Sequence, residues 1–591
     1  MSLSDTLRKY KDALEASNER QSKLYETRRD AVSNLYDSFL KGLIRRYEDK
    51  FSDTKWVSST ADRMAEFFGK RRLSFLAVDG TSDKVNLEEY AVFFAASYGV
   101  RGNIALDDRS TEYVKRQLNE ELSMVAYVPV PFAELGEVTA EEVGDEARFS
   151  MAEIHNRLML LAELYLVYSE LNSKDNPDVI LWDQSFSGMF HWVAPPLRGV
   201  PMVENNYPSE KRALRSGDAI IARSHPFNSQ LNVPSSSRGF YNLPSRIIYE
   251  LSTRPNHAVD VKDIVQLTGE NESEVKRTIG LLLEFSIISM VGDKITLLPE
   301  YHESWTFCVE LVDSICQRLF RKKDPQAMIY GTKWITTVDI DFMMSILLRV
   351  VVELSWKKNV LLIGIVKDSG SKYFTRNYLG VLRNADIYSG YQTQELFNLL
   401  WTDRLSLESL MEHDQTLNAP WSTVEFDSVF QVAFLASKKG TLETMVRGVP
   451  SSERIFARSL ALFFSLRRKG KTTYNHLLFV DRALIPSLDR EKISKKTITG
   501  NTSERVTELL PFLDLKGEQK NEAQDFVVFI LKTLTRNRFA DVIGYPEPLH
   551  KADLGAKTFN RMVQPLIRSS TNMIKRSKPW LSSVRQKRRF R

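Results

Sequence analysis

The stretch LSFLAVDGTSD, residues 73–83, decides the fold. Leu73, Phe75, Leu76, Ala77 and Val78 make a short apolar run, the pattern of a strand buried on both faces. Asp79 and Gly80 close it. Alone, Asp-Gly is a turn signal. Its meaning changes because the pattern recurs. DVILWDQSFSG (178–188) is a second apolar run that ends on a carboxylate, Asp183. Between the two, NRLMLLAELYLVYSEL belongs to a long amphipathic helix expected from about Met151 to Leu171. Glu163 lies on its apolar face beside Leu158, Leu161, Ala162 and Leu164, with Glu153 and Glu170 as competitors. A carboxylate there is costly unless paired or bound to metal. NVLLIGIVKDSGSKYF (359–374) ends another apolar run at Lys367, and NHLLFVDRAL (475–484) reads as a further strand. IGYPEPLHKADLGAK (543–557) follows a helix expected near 522–536 and supplies Tyr545, His550 and Asp553. Strands alternating with helices make the chain α/β.

Two strand ends and an intervening helix offering carboxylates suit a hard divalent cation, Mg²⁺ or Mn²⁺, with water and phosphate completing its shell. Asp79, Glu163, Asp183 and Asp553 are the expected metal ligands. Lys367 is expected to neutralise a scissile phosphate. Tyr545 orients water, stacks on a base, or packs beside Pro546. The chemistry this set serves is metal-assisted hydrolysis of a phosphodiester.

With 591 residues the chain is too long for one core, and two to four domains are expected. No apolar run has the length to span a membrane; FMMSILLRVVVEL carries Arg349 and Glu353 and reads as a buried helix. The polar N-terminus is not a signal peptide, and the compartment expected is the cytoplasm. Cys308 and Cys316 lie too far apart for a Cys-x-x-Cys motif and have no His cluster beside them, which argues against a zinc site. The net charge is +6, yet residues 568–591 hold nine Lys or Arg and no acid; without them the remainder is near −3. The tail's Lys575, Arg576, Lys578, Arg585, Lys587, Arg588 and Arg589 suit phosphate contacts, and Trp580 and Phe590 suit stacking on unpaired bases. The tail reads equally as a solubilising segment or a targeting address.

Residues 1–50 form a helical segment: Leu3, Leu7, Tyr10 and Leu14 recur at helical spacing, read as one side of a packed hairpin or as an exposed docking helix. Residues 51–195 are the first part of the core. Residues 196–242, rich in Pro, Gly, Ser and Asn, read as linker. Residues 243–300 repeat the order helix, helix-turn-helix, hairpin, with Asn271 or Ser273 as N-cap, and read as an inserted winged-helix domain. Its third helix offers only Lys276 and Arg277 beside several acids, which favours a protein contact over groove reading. Residues 301–567 are the second part of the core and 568–591 the basic tail.

In order, VDGTS, the helix Glu163, VILWDQS, LIGIVKDS and GYPEPLHKAD resemble the NurA family, over roughly residues 50–570. The resemblance implies an RNase H-like mixed sheet flanked by helices. It also implies a dimeric, Mn²⁺- or Mg²⁺-dependent nuclease acting at DNA ends, 5′→3′, with a hexameric HerA-like ATPase as translocase partner. Two departures stand out. The family's Asp-Gly-Ser is Asp183-Gln184-Ser185 here, and the His expected eight residues after Tyr545 is Asp553, leaving His550 as an accessory residue. They leave open a NurA-like scaffold that has lost catalysis and only binds DNA or the translocase. No Walker A sequence occurs, so any motor is a separate chain. A winged-helix transcription factor explains only the middle of the chain.

Overall fold

The apolar runs form the centre of one mixed sheet. The structure, a computed structural model, describes residues 3–37, 41–86, 90–114, 122–131, 153–193, 212–224, 243–268, 270–322, 324, 326–330, 333–367, 372–378, 402–427, 433–438, 441–446, 455–468, 471–489, 496–499, 506–509, 521–535 and 544–577. The main strands are β1 (Arg72–Asn86), β2 (Tyr90–Ala105), β3 (Ser110–Tyr113), β4 (Ser123–Pro131), β5 (Val179–Trp182), β6 (Leu361–Lys367), β7 (Trp421–Ser422), β8 (Phe456–Arg468) and β9 (Lys471–Ala483). Their order is β7-β8-β9-β6-β5-β1-β2-β3, with β4 also paired to β2. The three central strands β1, β5 and β6 run parallel, since β5 pairs with β1 from Phe75↔Val179 to Val78↔Trp182 and with β6 from Leu361↔Val179 to Gly364↔Trp182. The flanking pairs β1–β2, β6–β9 and β8–β9 are antiparallel.

Parity along these strands sorts side chains between two cores. Leu76, Val78, Trp182 and Leu362 face α3 (Ile154–Leu171), with α9 (Ser304–Phe320) and α10 (Thr337–Lys357) in the same layer. Leu73, Phe75, Ala77, Leu181, Ile363 and Ile365 face α2 (Thr54–Phe68) and α12 (Glu522–Leu534). Each Val, Leu, Ile or Phe among these, wholly removed from water, contributes about 1.5–3 kcal/mol, so the two layers dominate the fold's stability. The span 156–171 is not amphipathic as expected. Leu158, Leu161, Ala162, Leu164, Tyr165, Leu166 and Val167 are all buried, because α3 lies between the sheet and α10. The run containing Arg349 is the buried helix expected, and the guanidinium donates to the carbonyls of Ser345 and Arg223.

Two other expectations change. Residues 196–242, read as linker, contain α5 (Ser216–Arg223). Its Asp218 is fully buried and takes hydrogen bonds from Arg212, from the Arg215 amide and from Ser304 Oγ. Those partners outweigh the local Pro and Gly content. Most of the N-terminal segment is one long helix, α1 (Leu3–Leu35), the exposed helix of the two readings rather than a packed hairpin. Leu3 is 77% exposed, and Leu7, Tyr10 and Leu14 are exposed too, since no described surface lies opposite their stripe. The helix also contacts α11 (Asp403–His413), and the chain just beyond its end is anchored there: Tyr36 donates to Asp414, Arg46 pairs with Asp414, and Asp37 meets His413.

Residues 243–301 share one core with Ile220 and Ile221 of α5, in which Ile247, Ile248, Leu251, Ile264, Val275, Ile279, Leu282 and Ile295 are buried together. Helices α6 (Leu243–Thr253), α7 (Val261–Thr268) and α8 (Glu272–Glu284) precede a hairpin, Ile288–Val291 with Lys294–Leu297, whose second strand also pairs with Ala258–Asp260. Asn271 caps α8 by accepting the Glu274 amide. The last helix, α13 (Glu547–Ser577), lies against β1 and β2 through Val563 and Ile567 on Val92, Phe94 and Ala96. Among the described residues no helix is long and apolar enough to cross a membrane. Cys308 and Cys316 are buried and free.

Candidate active site

At the carboxyl ends of the parallel strands, five segments far apart in sequence meet. Asp183 follows β5 directly, and its amide donates to the Val78 carbonyl at 3.2 Å, which sets it beside Asp79. Asp79 is not at a strand end as expected. β1 continues through Asp79↔Tyr98 to Asn86↔Ala91, because β2 keeps pairing with it. What stops is β5, whose last partner on β1 is Val78. Asp79 is therefore the first residue of β1 past its parallel neighbour, and its carboxylate stands in the resulting notch. Alternation places Asp79, Asp183 and Lys367 on the same face as Ala77, Leu181 and Ile365.

Lys367, the last residue of β6, donates to Asp183 Oδ2 at 3.0 Å. Its ammonium sits 3.7 Å from the centre of the Tyr545 ring, and Tyr545 is buried just before α13. Asp553, two turns into α13, accepts from Lys557 at 2.7 Å. His550 precedes Asp553 by one turn on α13, and its amide donates to the Pro546 carbonyl.

Glu163 reaches the notch from the opposite layer and is 1% exposed. Trp182 Nε1 donates to its Oε2 at 2.7 Å, while Oε1 is buried and accepts no hydrogen bond among the described residues. Gly80 makes the approach sterically feasible: a Cβ there would lie 2.2 Å from Glu163 Oε1 and 2.7 Å from Met159 Cγ. One hydrogen bond to a charged group contributes about 1.5–3 kcal/mol. Burying a carboxylate costs several kcal/mol. The Trp182 bond alone does not hold Glu163 ionised.

The electrostatics follow. Burial, then the charge of Asp183, pushes Asp79 from 3.8 up to about 8, opposed by Lys367 and the Gly80 amide and reinforced by Asp553. Burial, then Asp79, raises Glu163 well above its ordinary range. Burial, then Asp183 and Asp79, raises the Tyr545 phenol. The acids thus feel one another: without a cation Asp79 and Glu163 hold their protons, and a bound cation would favour their ionised forms. Among the described residues no three His, Cys, Asp or Glu side chains close on one point as a ready-made cage. Asp183 and Asp553 instead hold lysines.

Asp183, Lys367 and Tyr545 touch through the Lys367 ammonium, Asp79 feels the charges of Asp183, Lys367 and Asp553, and Glu163 feels those of Asp79 and Asp183. Of the tail residues, Lys578, Arg585, Lys587, Arg588 and Arg589 lie outside the described residues, and Lys575 and Arg576 are described only as part of α13. The resemblance did not single out Asp481, near the end of β9. It is 1% exposed, and its Oδ2 accepts from Ser185 Oγ, the Ser187 amide and Ser187 Oγ at 2.6–2.8 Å. The signal was there, since LLFV-Asp481 repeats the pattern of VILW-Asp183.

What these features define is a mixed α/β protein with an acid-and-lysine notch at the carboxyl ends of its parallel strands, the usual place for a site in such sheets. No protein-family model and no curated protein matches the chain. Among solved structures it is similar to the NurA nuclease from Sulfolobus solfataricus, at 11% identity over 88% of this chain and 95% of that one, with a TM-score of 0.29. It is similar to NurA with manganese at 12% identity, 87% and 96% coverage and a TM-score of 0.30. It is also similar to NurA bound to dAMP and manganese, at 11% identity, 86% and 93% coverage and a TM-score of 0.30. At these scores the likeness does not decide the class.

Proposed function

We propose that this protein is a metal-dependent deoxyribonuclease of NurA type, hydrolysing phosphodiesters at DNA ends. One observation carries the reading: burial, and after it the charges of neighbouring acids, raise Asp79 to about 8 and Glu163 well above its ordinary range, with Asp183 among those neighbours. The residues fit Mn²⁺ or Mg²⁺, being all-oxygen donors with one buried carboxylate oxygen, Glu163 Oε1, without a hydrogen-bond partner among the described residues. Asp79, Glu163, Asp183 and Asp553 would hold the ion, which when bound supplies Lewis-acid polarisation of a phosphoryl oxygen.

The chain's own groups do the rest. Lys367, steadied by Asp183 and the Tyr545 ring, meets the negative charge of the scissile phosphate. Tyr545 keeps its proton and so donates a hydrogen bond to phosphate or water. Asp553 or His550 moves a proton from the attacking water. The longer β1–β2 ribbon, with α13 along it, walls one side of the notch.

The finer reading has an RNase H-like core and the 243–300 segment as an inserted winged helix. It has 5′→3′ exonuclease action with single-strand endonuclease activity, a homodimer and a HerA-like translocase partner. Lys276 and Arg277 hold Glu272 and Glu274 on their own helix, which supports a protein contact for that segment. The rival reading, an inactive scaffold, draws on the lysines held by Asp183 and Asp553 and on Gln184. Cleavage of end-labelled single- and double-stranded DNA separates the two. The nuclease cuts with Mn²⁺ or Mg²⁺, is silent in EDTA, and loses at least a hundredfold in rate as Asp79→Ala. DNA binding without cleavage, with and without the translocase, sinks it.

A further inference from the structure

We infer that Asp481 is a positioning residue for this site, one that fixes the turn carrying Asp183 from behind the sheet. The inference rests on the proposed metal-dependent activity for its consequence, though not for its geometry. Asp481 lies on β9, in register with Gly364 of β6 and Arg458 of β8. Strand parity turns it to the face opposite Asp183. Its Oδ2 receives three donors from the turn after Asp183: Ser185 Oγ at 2.7 Å, the Ser187 amide at 2.8 Å and Ser187 Oγ at 2.6 Å. Ser185 Oγ in turn accepts the Gly188 amide at 2.9 Å. A carboxylate from another strand thus caps the first turn of α4 (Phe186–Val193), where unpaired amides favour an anion.

The same side chain reaches towards the segment after Lys367. Arg458, directly across from Asp481, lies 4.2 Å from the Tyr373 ring centre, and that phenol also feels the Asp481 charge. Gly364 is required at the crossing: a Cβ there would stand 2.0 Å from Asp481 Oδ1 and 2.6 Å from the Gln184 carbonyl. Hydrogen bonds to the partners of metal ligands typically govern metal affinity by 10–100-fold, by holding ligands in place. Asp481 acts one step further out, since its hydrogen bonds go to Ser185 and Ser187, in the turn that begins two residues after Asp183. It touches neither substrate nor the notch itself.

The test compares wild type, Asp481→Ala, Asp481→Asn, the double variant Ser185→Ala/Ser187→Ala, and Asp79→Asn. Amide hydrogen exchange at 183–188 is read without metal, and Mn²⁺ affinity by paramagnetic resonance, with circular dichroism checking the fold. The expected result is exchange at 183–188 faster by at least tenfold in Asp481→Ala and in the double serine variant. Mn²⁺ affinity falls 10–100-fold in both, and Asp481→Asn lies between. The double variant keeps Asp481, so it remains informative if Asp481→Ala fails to fold. Unchanged exchange overturns the inference. Faster exchange with undiminished Mn²⁺ affinity, where Asp79→Asn has lost it, also overturns it as a role at the site. If wild type binds no Mn²⁺, the proposed function fails separately, and the exchange result alone decides whether Asp481 holds the turn.

Discussion

Asp79 shows how a single position sets the chemistry. Its pKa, raised from 3.8 to about 8 by burial and by Asp183, means that the metal-free fold keeps a proton the unfolded chain releases. Where the folded state binds more protons, stability falls as pH rises. The stabilising contribution is full below about pH 4 and is lost as the pH climbs through about 8. In EDTA, thermal unfolding across this window should therefore show a downward slope with pH that Asp79→Asn removes. A slope identical in the variant would refute the assignment. Because bound ligands must be deprotonated, Mn²⁺ binding near pH 7 should release protons, seen as a buffer-dependent heat in calorimetry. Gly80 is the steric counterpart. Gly80→Ala sets a methyl against Glu163 Oε1 and Met159, at a cost of about 1–3 kcal/mol for overpacking. It should lower the melting temperature by several degrees and abolish Mn²⁺ binding; a variant that binds Mn²⁺ normally would show that Glu163 does not use this gap.

At the level of elements, the sequence disclosed the strands well and their limits poorly. Apolar runs ending on Asp79, Asp183 and Lys367 were legible because parallel strands covered on both faces are continuously hydrophobic. Glu163 was legible as an acid among apolar neighbours. That β1 runs on past Asp79 was hidden, since the continuation depends on pairing with β2, a tertiary fact. Helix α5 was hidden in Pro- and Gly-rich sequence because its stability comes from the buried Asp218 network. Asp481 carried the same signal as Asp183, and only strand parity shows that it faces the other way. Within the 243–300 segment, both bases of α8 are engaged on their own helix. Replacing Lys276 and Arg277 by Ala should leave DNA affinity within twofold, whereas deleting residues 578–591 should weaken it tenfold or more at 0.15 M salt, by loss of phosphate contacts. Filter binding across a salt series measures both, and a larger loss from the helix variant would make that segment the DNA reader.

Across the whole molecule, a single sheet with two covered faces brings distant parts of the chain to one end. Residues 79, 163, 183 and 367 and the segment 545–553 are far apart in the chain, and the parallel register of β1, β5 and β6, with α3 behind and α13 alongside, brings them to this end of the sheet. The central claim is that this notch is a divalent-metal site. Anomalous diffraction at the manganese edge, from crystals soaked in Mn²⁺, tests it most directly. The account predicts a peak within coordination distance, about 2.0–2.6 Å, of carboxylate oxygens of Asp79 and Asp183, with Lys367 turned away from Asp183. A manganese peak elsewhere, or none at this notch while Lys367 stays on Asp183, would contradict it.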